Sequence, residues 1–253
     1  METITSRSNP LISRIRRLTA DRKARRAEGL MVCEGPKMLE EALRWGACPE
    51  TVLTVEGFDP DLPPAVRRVR VPADLLSAVA PTRTPQKVLF LCPIPVRPLP
   101  ERLTGGRYLV LDGLQDPGNV GTLWRTADAF GADGLNLLPG CADPWSPKTV
   151  RATMGACFRL PAWETTLDAL LPVLDRSGLP LYAAALREDT LDLRSLAAGR
   201  AALVIGSEGR GVSAPVLDAC AAAVRIPMTD RCESLNAAGA GAVALWELAR
   251  DSL

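Results

Sequence analysis

The stretch YLVLDGLQDPGNVGTLWRTADAFGA (Tyr108–Ala132) contains an apolar run, a turn signal and an amphipathic segment, in that order. The run YLVLDG is typical of a buried strand. Pro117-Gly118 predicts a tight turn, and Asn119 is a good N-cap for the helix that follows. The stretch therefore predicts a strand followed by a helix, the repeating unit of an α/β fold.

The predicted helix has one apolar face and one polar face, at roughly 100° per residue. The apolar face consists of Val120, Leu123, Trp124, Ala127 and Phe130. The opposite arc consists of Asn119, Thr122, Arg125 and Thr126. Helix geometry alone favours an ordinary surface arginine at position 125, about two turns above a loop that should face a ligand.

The alternation of strands and helices continues towards the carboxyl end. The predicted strands are GLNLLPG, PLYAAAL, AALVIG and AAVRIPM, and the predicted helices are SPKTVRATMGAC and TLDALLPVLDRSG. Nearly continuous apolar strands separated by helices predict a mostly parallel sheet that is covered on both faces.

Towards the amino end, the pattern predicts a smaller α/β module. It starts with a basic helix near Pro10 to Glu28, followed by the strand GLMVCEG, the helix KMLEEALRWG, the short strands TVLTV and RRVRVP and the short helix DLLSAVA. The proline- and glycine-rich segment CPIPVRPLPERLTGG separates the two parts, because prolines exclude a regular helix or a central strand. We expect one domain at 1–96, a linker at 97–106 and a second domain at 107–253.

Composition excludes several classes of site. The chain has no histidine, which rules out Ser-His-Asp and Cys-His nucleophiles and histidine-ligated metals. Its seven cysteines are scattered without a C-x-x-C pair, so no metal site is expected. No apolar run approaches the roughly 18 residues that span a bilayer, and the start of the sequence lacks the apolar centre of a secretory signal. We expect a cytoplasmic protein without membrane contact.

Basic residues crowd the first 26 positions against only two acidic ones. They are Arg7, Arg14, Arg16, Arg17, Arg22, Lys23, Arg25 and Arg26. Such a cluster is typical of polyanion binding, and arginine suits phosphate groups. A solvated basic helix face is the alternative interpretation.

Two further loops follow predicted strands, where ligands of α/β sheets gather. LVIGSEGRGVS (residues 203–213) is rich in glycine but matches neither the P-loop nor the dinucleotide fingerprint, so a structural turn is an equal alternative. In IPMTDRCESLNAAGAGAVALWELA (residues 226–249), Ser234 or Asn236 can cap a helix of small residues. That helix suits either tight packing or a dimer interface.

Together the three blocks resemble the motifs of the SpoU/TrmH family of RNA 2′-O-ribose methyltransferases, in the SPOUT superfamily. The first resembles N-x-G-x-x-x-R-T-A-x-x-F-G, matched by Asn119, Gly121, Arg125, Thr126, Ala127, Phe130 and Gly131. The second resembles G-x-E-x-x-G-x-S, matched by Gly206, Glu208, Gly211 and Ser213. The third resembles I-P-M, S-L-N and a closing helix with a glutamate, matched by residues 226–228, 234–236 and Glu247. The amino-terminal part is similar to the small L30e-like substrate-binding domain of many members.

The resemblance implies a SPOUT α/β domain with a mostly parallel sheet and a carboxyl-terminal trefoil knot. It implies S-adenosylmethionine as cofactor, RNA as substrate and a homodimer that shares its active site across the interface. By motif position, the residues expected at the cofactor are Val204, Ile205, Gly206, Ile226, Met228 and Leu235. Those expected to be catalytic are Asn119, Arg125, Glu208, Ser234 and Asn236, and the basic residues of the first 26 positions are expected to bind RNA.

The reaction implied is methyl transfer to a ribose 2′-hydroxyl of RNA, with 23S ribosomal RNA as the expected substrate. A transfer RNA substrate is the competing interpretation, and an RNA-binding protein that kept the fold without catalysis is the alternative from another class. The chain departs from the family pattern S-L-N-V-S at two residues, because Ala237 and Ala238 stand where the family has valine and serine. The change at position 238 removes one hydroxyl near the cofactor.

Overall fold

The computed structural model of the chain describes residues 2–187, 189–196, 199–232 and 234–252. These residues form two compact units, the first made of 2–96 and 143–159 and the second of 97–142 and 160–252. The segment 143–159, which we expected in the second domain, thus groups with the first unit. None of the described helices is both long and apolar enough to cross a membrane.

The chain up to residue 93 alternates short strands and helices. In order these are β1 (Glu2–Thr3), α1 (Pro10–Ala20), α2 (Arg22–Glu28), β2 (Leu30–Glu34), α3 (Pro36–Arg44), β3 (Thr51–Thr54), β4 (Arg67–Arg70), α4 (Ala73–Ser77) and β5 (Val88–Pro93). The strands form one sheet in the order β1-β4-β3-β5-β2. Helix α1 packs on this sheet through its apolar side chains Leu11, Ile12, Ile15 and Leu18.

The single basic helix predicted near Pro10 to Glu28 is wrong, because the chain forms two helices there. Asp21 has an extended backbone between them, and its carboxylate accepts a hydrogen bond from the backbone N–H of Lys23 at 2.8 Å. An aspartate is a strong N-cap and starts a new helix at this point. Gly29 ends α2 with a left-handed φ of 62°.

The rest of the chain forms the second sheet with its helices and contributes one further segment to the first unit. In order they are β6 (Arg107–Asp112), α5 (Pro117–Ala129), β7 (Gly134–Leu137), α6 (Pro147–Ala152), α7 (Ala156–Arg159), β8 (Ala162–Glu164), α8 (Leu167–Ser177), β9 (Leu181–Ala184), β10 (Leu191–Asp192), β11 (Ala201–Gly206), α9 (Ala214–Ala219), β12 (Ala222–Arg225) and α10 (Ala237–Ala249), with 3₁₀ turns at Leu193–Ser195 and Arg250–Ser252. Helices α6 and α7 belong to the first unit.

The second sheet has the strand order β10-β12-β9-β11-β6-β7-β8, and every described pairing in it is parallel. This confirms the predicted parallel α/β sheet. Helix α10 packs on α5 so closely that a Cβ added at Gly241 would lie 2.1 Å from Leu123 Cδ2. The small residues of α10 thus serve close helix packing.

Candidate active site

Strands β12, β9 and β11 lie side by side in the second sheet, and one cavity opens at their carboxyl ends. Its volume is about 290 Å³, and the segment between β12 and α10 forms another of its walls. Because the three strands are parallel, their carboxyl ends share one edge of the sheet. Ligands of open α/β sheets bind at this edge, so the cavity is the candidate ligand site of the second unit.

Most of the residues predicted at the cofactor line this cavity. They are Ile205, Gly206, Ile226, Met228 and Leu235. Val204 does not line it, because successive side chains of a strand point to opposite faces. The side chain of Val204 is fully buried in the core together with Val110 and Ala183, and it contributes to that core rather than to the cavity.

The loop after β11 folds back onto the end of its own strand. Ser207 and Gly211 exchange two backbone hydrogen bonds of 3.0 and 2.8 Å, and Gly211 has a left-handed φ of 68°. A Cβ at Gly206 would lie 2.1 Å from the carbonyl carbon of Gly211. Position 206 therefore requires glycine, because any side chain would push the loop away from the cavity edge.

A side-chain hydrogen bond joins the first two motifs. Asn119 donates from Nδ2 to Glu208 Oε1, although 89 positions separate the two residues in the sequence. Asn119 is half-buried and Glu208 is exposed and lines the cavity. The structure thus brings these two predicted catalytic residues together at the mouth of the cavity.

The predicted start of α5 is wrong by three residues. Pro117 and Gly118 lie inside the helix rather than in a turn before it, and the N-cap is Asp116 instead of Asn119. Asp116 Oδ1 accepts a hydrogen bond from the backbone N–H of Asn119 at 2.9 Å. Proline fits the first helical position because its φ is already helical and its missing N–H needs no partner there. The side chain of Asn119 is consequently available to Glu208.

Arg125 is exposed on the polar face of α5, as predicted. No hydrogen bond or ion pair to another described residue holds its guanidinium. It is not among the residues that line the cavity. The apolar face of the same helix is buried at Val120, Leu123 and Trp124. Burial of this face fixes the direction in which the side chain of Arg125 projects from the helix. Arg125 is therefore a positioned cation whose donors are not engaged by any residue that the structure describes.

Helix α10 begins at the third motif. Asn236 is its N-cap, and its side-chain oxygen accepts from the backbone N–H groups of Ala238 at 2.9 Å and Gly239 at 3.4 Å. Ser234 is exposed and lines the cavity. Of the two predicted caps, Asn236 is thus the one that the chain uses. The cap fixes the end of the segment that forms the cavity wall.

Sequence reasoning missed one wall of the cavity. It is formed at β9 and β12 by Ala184, Ala185, Leu186, Val224 and Arg225. Both strands were predicted, but nothing in either strand signals that β9 lies between β11 and β12. That order depends on crossover connections, which leave no local pattern in the sequence.

Burial raises the pKa of the thiols of Cys141 and Cys220, both in the second unit, to about 11. At neutral pH these thiols are protonated, and a thiol is a much weaker nucleophile than a thiolate. Neither cysteine is therefore suited to covalent catalysis.

The predicted RNA contacts at the amino end divide into paired and available cations. Arg25 is only 4% exposed, and its guanidinium donates to Asp143 Oδ2 at 2.7 Å and to the carbonyl of Leu18 at 2.6 Å. Its assignment to RNA is wrong, because a buried arginine with a buried carboxylate partner is structural. Arg22 and Arg26 also approach Asp143, at 4.0 and 3.6 Å.

The other basic side chains of this region are more exposed. Arg14 lies between two carboxylates, donating to Glu28 at 2.5 Å and to Glu50 at 2.6 Å, and Arg17 also pairs with Glu28. Arg7, Arg16 and Lys23 are exposed and pair with none of Glu28, Glu50 and Asp143 in the described part of the chain. Arg7 pairs with Asp74 at 3.2 Å, and Arg16 donates to the carbonyl of Arg7 at 3.2 Å.

Two family models match the chain. Residues 106–246 match the SpoU rRNA Methylase family, and residues 9–89 match the MRM3-like substrate binding domain. The chain is 32% identical over 250 residues to the 23S rRNA (guanosine(2553)-2'-O)-methyltransferase RlmP of Bacillus subtilis, covering 98% of this chain and 99% of that protein.

Solved structures share the fold over the whole chain. The AdoMet-bound rRNA methyltransferase from Sinorhizobium meliloti has a TM-score of 0.88 at 30% identity, covering 100% of this chain and 98% of that one. The SpoU methyltransferase AviRb from Streptomyces viridochromogenes, in complex with AdoMet, has a TM-score of 0.81 at 25% identity, covering 96% of this chain and 98% of that one.

Proposed function

The chain belongs to the SpoU rRNA methylase family, and from this membership we propose that it methylates a ribose 2′-hydroxyl of RNA. The methyl donor is S-adenosylmethionine, and the RNA is 23S ribosomal RNA in the cytoplasm. The hydrogen bond between Asn119 and Glu208 carries the proposal, because it joins two motifs at the mouth of the cavity. The relative from Bacillus subtilis, named for this reaction on 23S rRNA, supports the substrate class.

The lining of the cavity fits S-adenosylmethionine, which combines an uncharged purine with a cationic sulfonium. Leu186, Met228 and Leu235 line it and are 65%, 38% and 40% exposed, so a flat apolar ring would cover them. Glu208 provides a carboxylate that favours a nearby positive charge, and Arg225 provides a cation for the carboxylate of the methionine part. When bound, the cofactor supplies an activated methyl group.

We assign Arg125 to the acceptor hydroxyl and its neighbouring phosphate. A guanidinium presents a planar fork of donors, which suits a phosphate and the negative charge that develops on the 2′ oxygen. It hardly loses a proton, so the hydroxyl proton leaves through a phosphate oxygen or water. Asn119 and Glu208, which are hydrogen-bonded to each other, are assigned to the ribose rather than to Arg125, while Ser234 and Asn236 shape the wall of the cavity.

The homodimer is assigned to the exposed side of α10. Val243 and Trp246 are 42% and 50% exposed, although the other side of this helix packs on α5. The rings of Trp246 and Phe130 form an edge-to-face pair with a centroid distance of 5.6 Å, so the two form one apolar patch. A partner subunit would cover this patch. Sedimentation at micromolar concentration should give the mass of two chains, and the mass of one chain would contradict the assignment.

We also propose the trefoil knot of the family for the segment between β12 and α10. In support of it, this segment borders the cavity before α10 returns to pack on α5 and β11. The knot would hold the Ile226, Met228 and Leu235 wall in place without a covalent link.

Two experiments test the proposed function. Titration calorimetry with S-adenosylmethionine should show binding, and its absence would leave only a non-catalytic RNA-binding protein. Mapping of 2′-O-methylation in total RNA, from cells with and without the gene, should find one 23S rRNA position that loses its methyl group. Loss confined to a transfer RNA would contradict the proposed substrate.

A further inference from the structure

A second cavity lies entirely within the first unit. Its volume is about 160 Å³, and it is lined by residues from the end of β2, the start of α3, the loop before β5 and the end of α6. Pockets for whole small molecules measure about 300 to 1,000 Å³, so this one suits a single flat nucleobase rather than a cofactor.

Glu34, the last residue of β2, lines this cavity with an unsatisfied oxygen. Its Oε1 accepts from Thr82 Oγ1 at 2.7 Å and from the backbone N–H of Gln86 at 3.0 Å. Its Oε2 is buried, and no described residue donates to it. An unsatisfied buried carboxylate oxygen is costly, and nearly all buried polar atoms in folded proteins have partners. A ligand with N–H donors would satisfy it.

Met154 borders the same cavity in a strained conformation. It is 46% exposed, and its φ of 49° is unusual for any residue other than glycine. The turn holds it there, since its N–H donates to the carbonyl of Arg151 at 3.2 Å and Gly155 packs against Glu41. Strained residues of this kind cluster at ligand sites, and an exposed thioether is well suited to lie on an aromatic ring.

The positive charges beside the cavity suit the phosphate groups that flank a base in a nucleic acid. Arg151 and Lys37 both line it and are both exposed. Lys37 pairs with Glu40 at 3.2 Å and Glu41 at 3.4 Å, whereas no described residue pairs with Arg151. A cation beside a ring-sized pocket can bind the phosphate next to a base.

We infer that this cavity takes one unpaired guanine of the RNA substrate. The N1–H and N2–H donors of guanine lie side by side on its Watson–Crick edge, and Glu34 Oε2 accepts from that edge. Met154 covers the face of the ring, and Arg151 binds a flanking phosphate. The exposed side chain of Gln86 moves aside to admit the base. Uracil presents one N–H between two carbonyl acceptors, which the carboxylate repels.

This inference rests on the proposed RNA substrate but not on methyl transfer, so binding tests it separately. Fluorescein-labelled uridine hexanucleotides, with or without one central guanosine, are titrated into the full chain by anisotropy at fixed salt without cofactor. The wild-type chain should bind the guanosine probe about tenfold more tightly than the all-uridine probe. Equal affinities would overturn the inference.

Glu34→Gln and Glu56→Gln make a matched pair of variants. Both remove one negative charge from the first unit, but Glu56 is exposed and does not line the cavity. In Glu34→Gln the amide can keep both hydrogen bonds of Oε1 while offering an N–H₂ donor where Oε2 stood. The guanosine preference should fall to about onefold in Glu34→Gln and stay about tenfold in Glu56→Gln. An equal preference in the two variants would overturn the inference.

Met154→Ala provides a readout independent of Glu34. The affinity of this variant for the guanosine probe should fall about threefold, since one contact with the ring is lost. An unchanged affinity would overturn the role of Met154. Calorimetry with S-adenosylmethionine on the same proteins separates this result from the proposed function. Cofactor binding without a guanosine preference rejects only the base pocket, whereas a guanosine preference without cofactor binding rejects only the methyltransferase.

Discussion

Helices α1 and α2 carry six arginines and helix α5 carries one, yet the arginines of the basic helices are the better paired. Arg25 is buried between Asp143 and two backbone carbonyls, and Arg14 lies between two carboxylates. Arg125 has no such partner among the described residues. The partners of an arginine, rather than the local density of arginines, therefore distinguish a charge that stabilises the fold from a charge that is available to a substrate.

Replacing Arg25 gives the largest effect on folding in this comparison. Arg25→Ala removes the closest cation from the 8% exposed carboxylate of Asp143 and leaves it, among the described residues, with Arg22 and Arg26 at longer range and the backbone N–H of Trp145. The free energy of unfolding should fall by about 3 kcal/mol, measured by urea denaturation. The control Arg16→Ala, at an exposed arginine of α1, should change it by less than about 0.5 kcal/mol. Equal losses of unfolding free energy in the two variants would contradict the distinction between paired and available arginines.

In the second unit, the position of the loop at the edge of the cofactor cavity depends on Gly206. Gly206→Ala places a Cβ 2.1 Å from the backbone of Gly211, so the loop must move away from the cavity edge. Calorimetry should show S-adenosylmethionine binding at least about tenfold more weakly, a loss of about 1.4 kcal/mol. Gly209→Ala is the matched control, because a Cβ there meets nothing within 4 Å. Similar affinities for the two variants would show that the loop position does not matter to the cofactor.

The salt dependence of RNA binding distinguishes an available cation from a paired one within α1 and α2. Lys23 is exposed without an ion-pair partner in the described part of the chain, whereas Arg14 is held by Glu28 and Glu50. Lys23→Ala should reduce the slope of log affinity for RNA against log salt by about 0.7 to 0.9, the value of one phosphate contact. Arg14→Ala should leave the slope unchanged. The opposite ranking would mean that pairing does not withdraw a cation from RNA.

The smallest expected effect concerns pH and Glu28. Burial acts to raise the pKa of its carboxyl group, but the hydrogen bonds from Arg14 and Arg17 outweigh it and leave the pKa below its usual value. A lowered folded-state pKa stabilises the fold above the unfolded value of about 4.3, and this contribution is lost as pH falls through the folded pKa. Thermal melts should therefore show Glu28→Gln less stable than wild type by less than about 1 kcal/mol at pH 7 and equal to it near pH 2. A constant difference across this range would contradict the ion pairs.

The sequence predicted the parallel sheet of the second unit and the three loops at its carboxyl edge, and it offered Asn236 as one of two possible caps of α10. Those features follow from local patterns, namely apolar runs, glycines and one capping side chain. Strand β5 was missed, although VLFLC is a continuous apolar run, and so were the two-residue strands β1 and β10, which leave almost no pattern.

The burial of Arg25 could not be read from the sequence, because its partner Asp143 lies 118 positions away. The Asn119–Glu208 bond and the placing of β9 at the cavity depend in the same way on the order of strands in the sheet. The strain at Met154 and the unsatisfied oxygen of Glu34 come from packing and appear only in three dimensions.

The most direct measurement of the role of Arg125 is methyl transfer from S-adenosylmethionine to a 23S rRNA transcript, with wild type, Arg125→Lys and Arg125→Ala compared at saturating cofactor. If the planar guanidinium stabilises the 2′ oxygen, kcat should fall about 10²- to 10³-fold in Arg125→Ala. The lysine variant should lose at least about tenfold, because its ammonium is a point charge without the fork. Cofactor affinity should be unchanged in both. A kcat near wild type in Arg125→Lys would contradict the role of the planar fork, and one near wild type in Arg125→Ala would contradict any catalytic role.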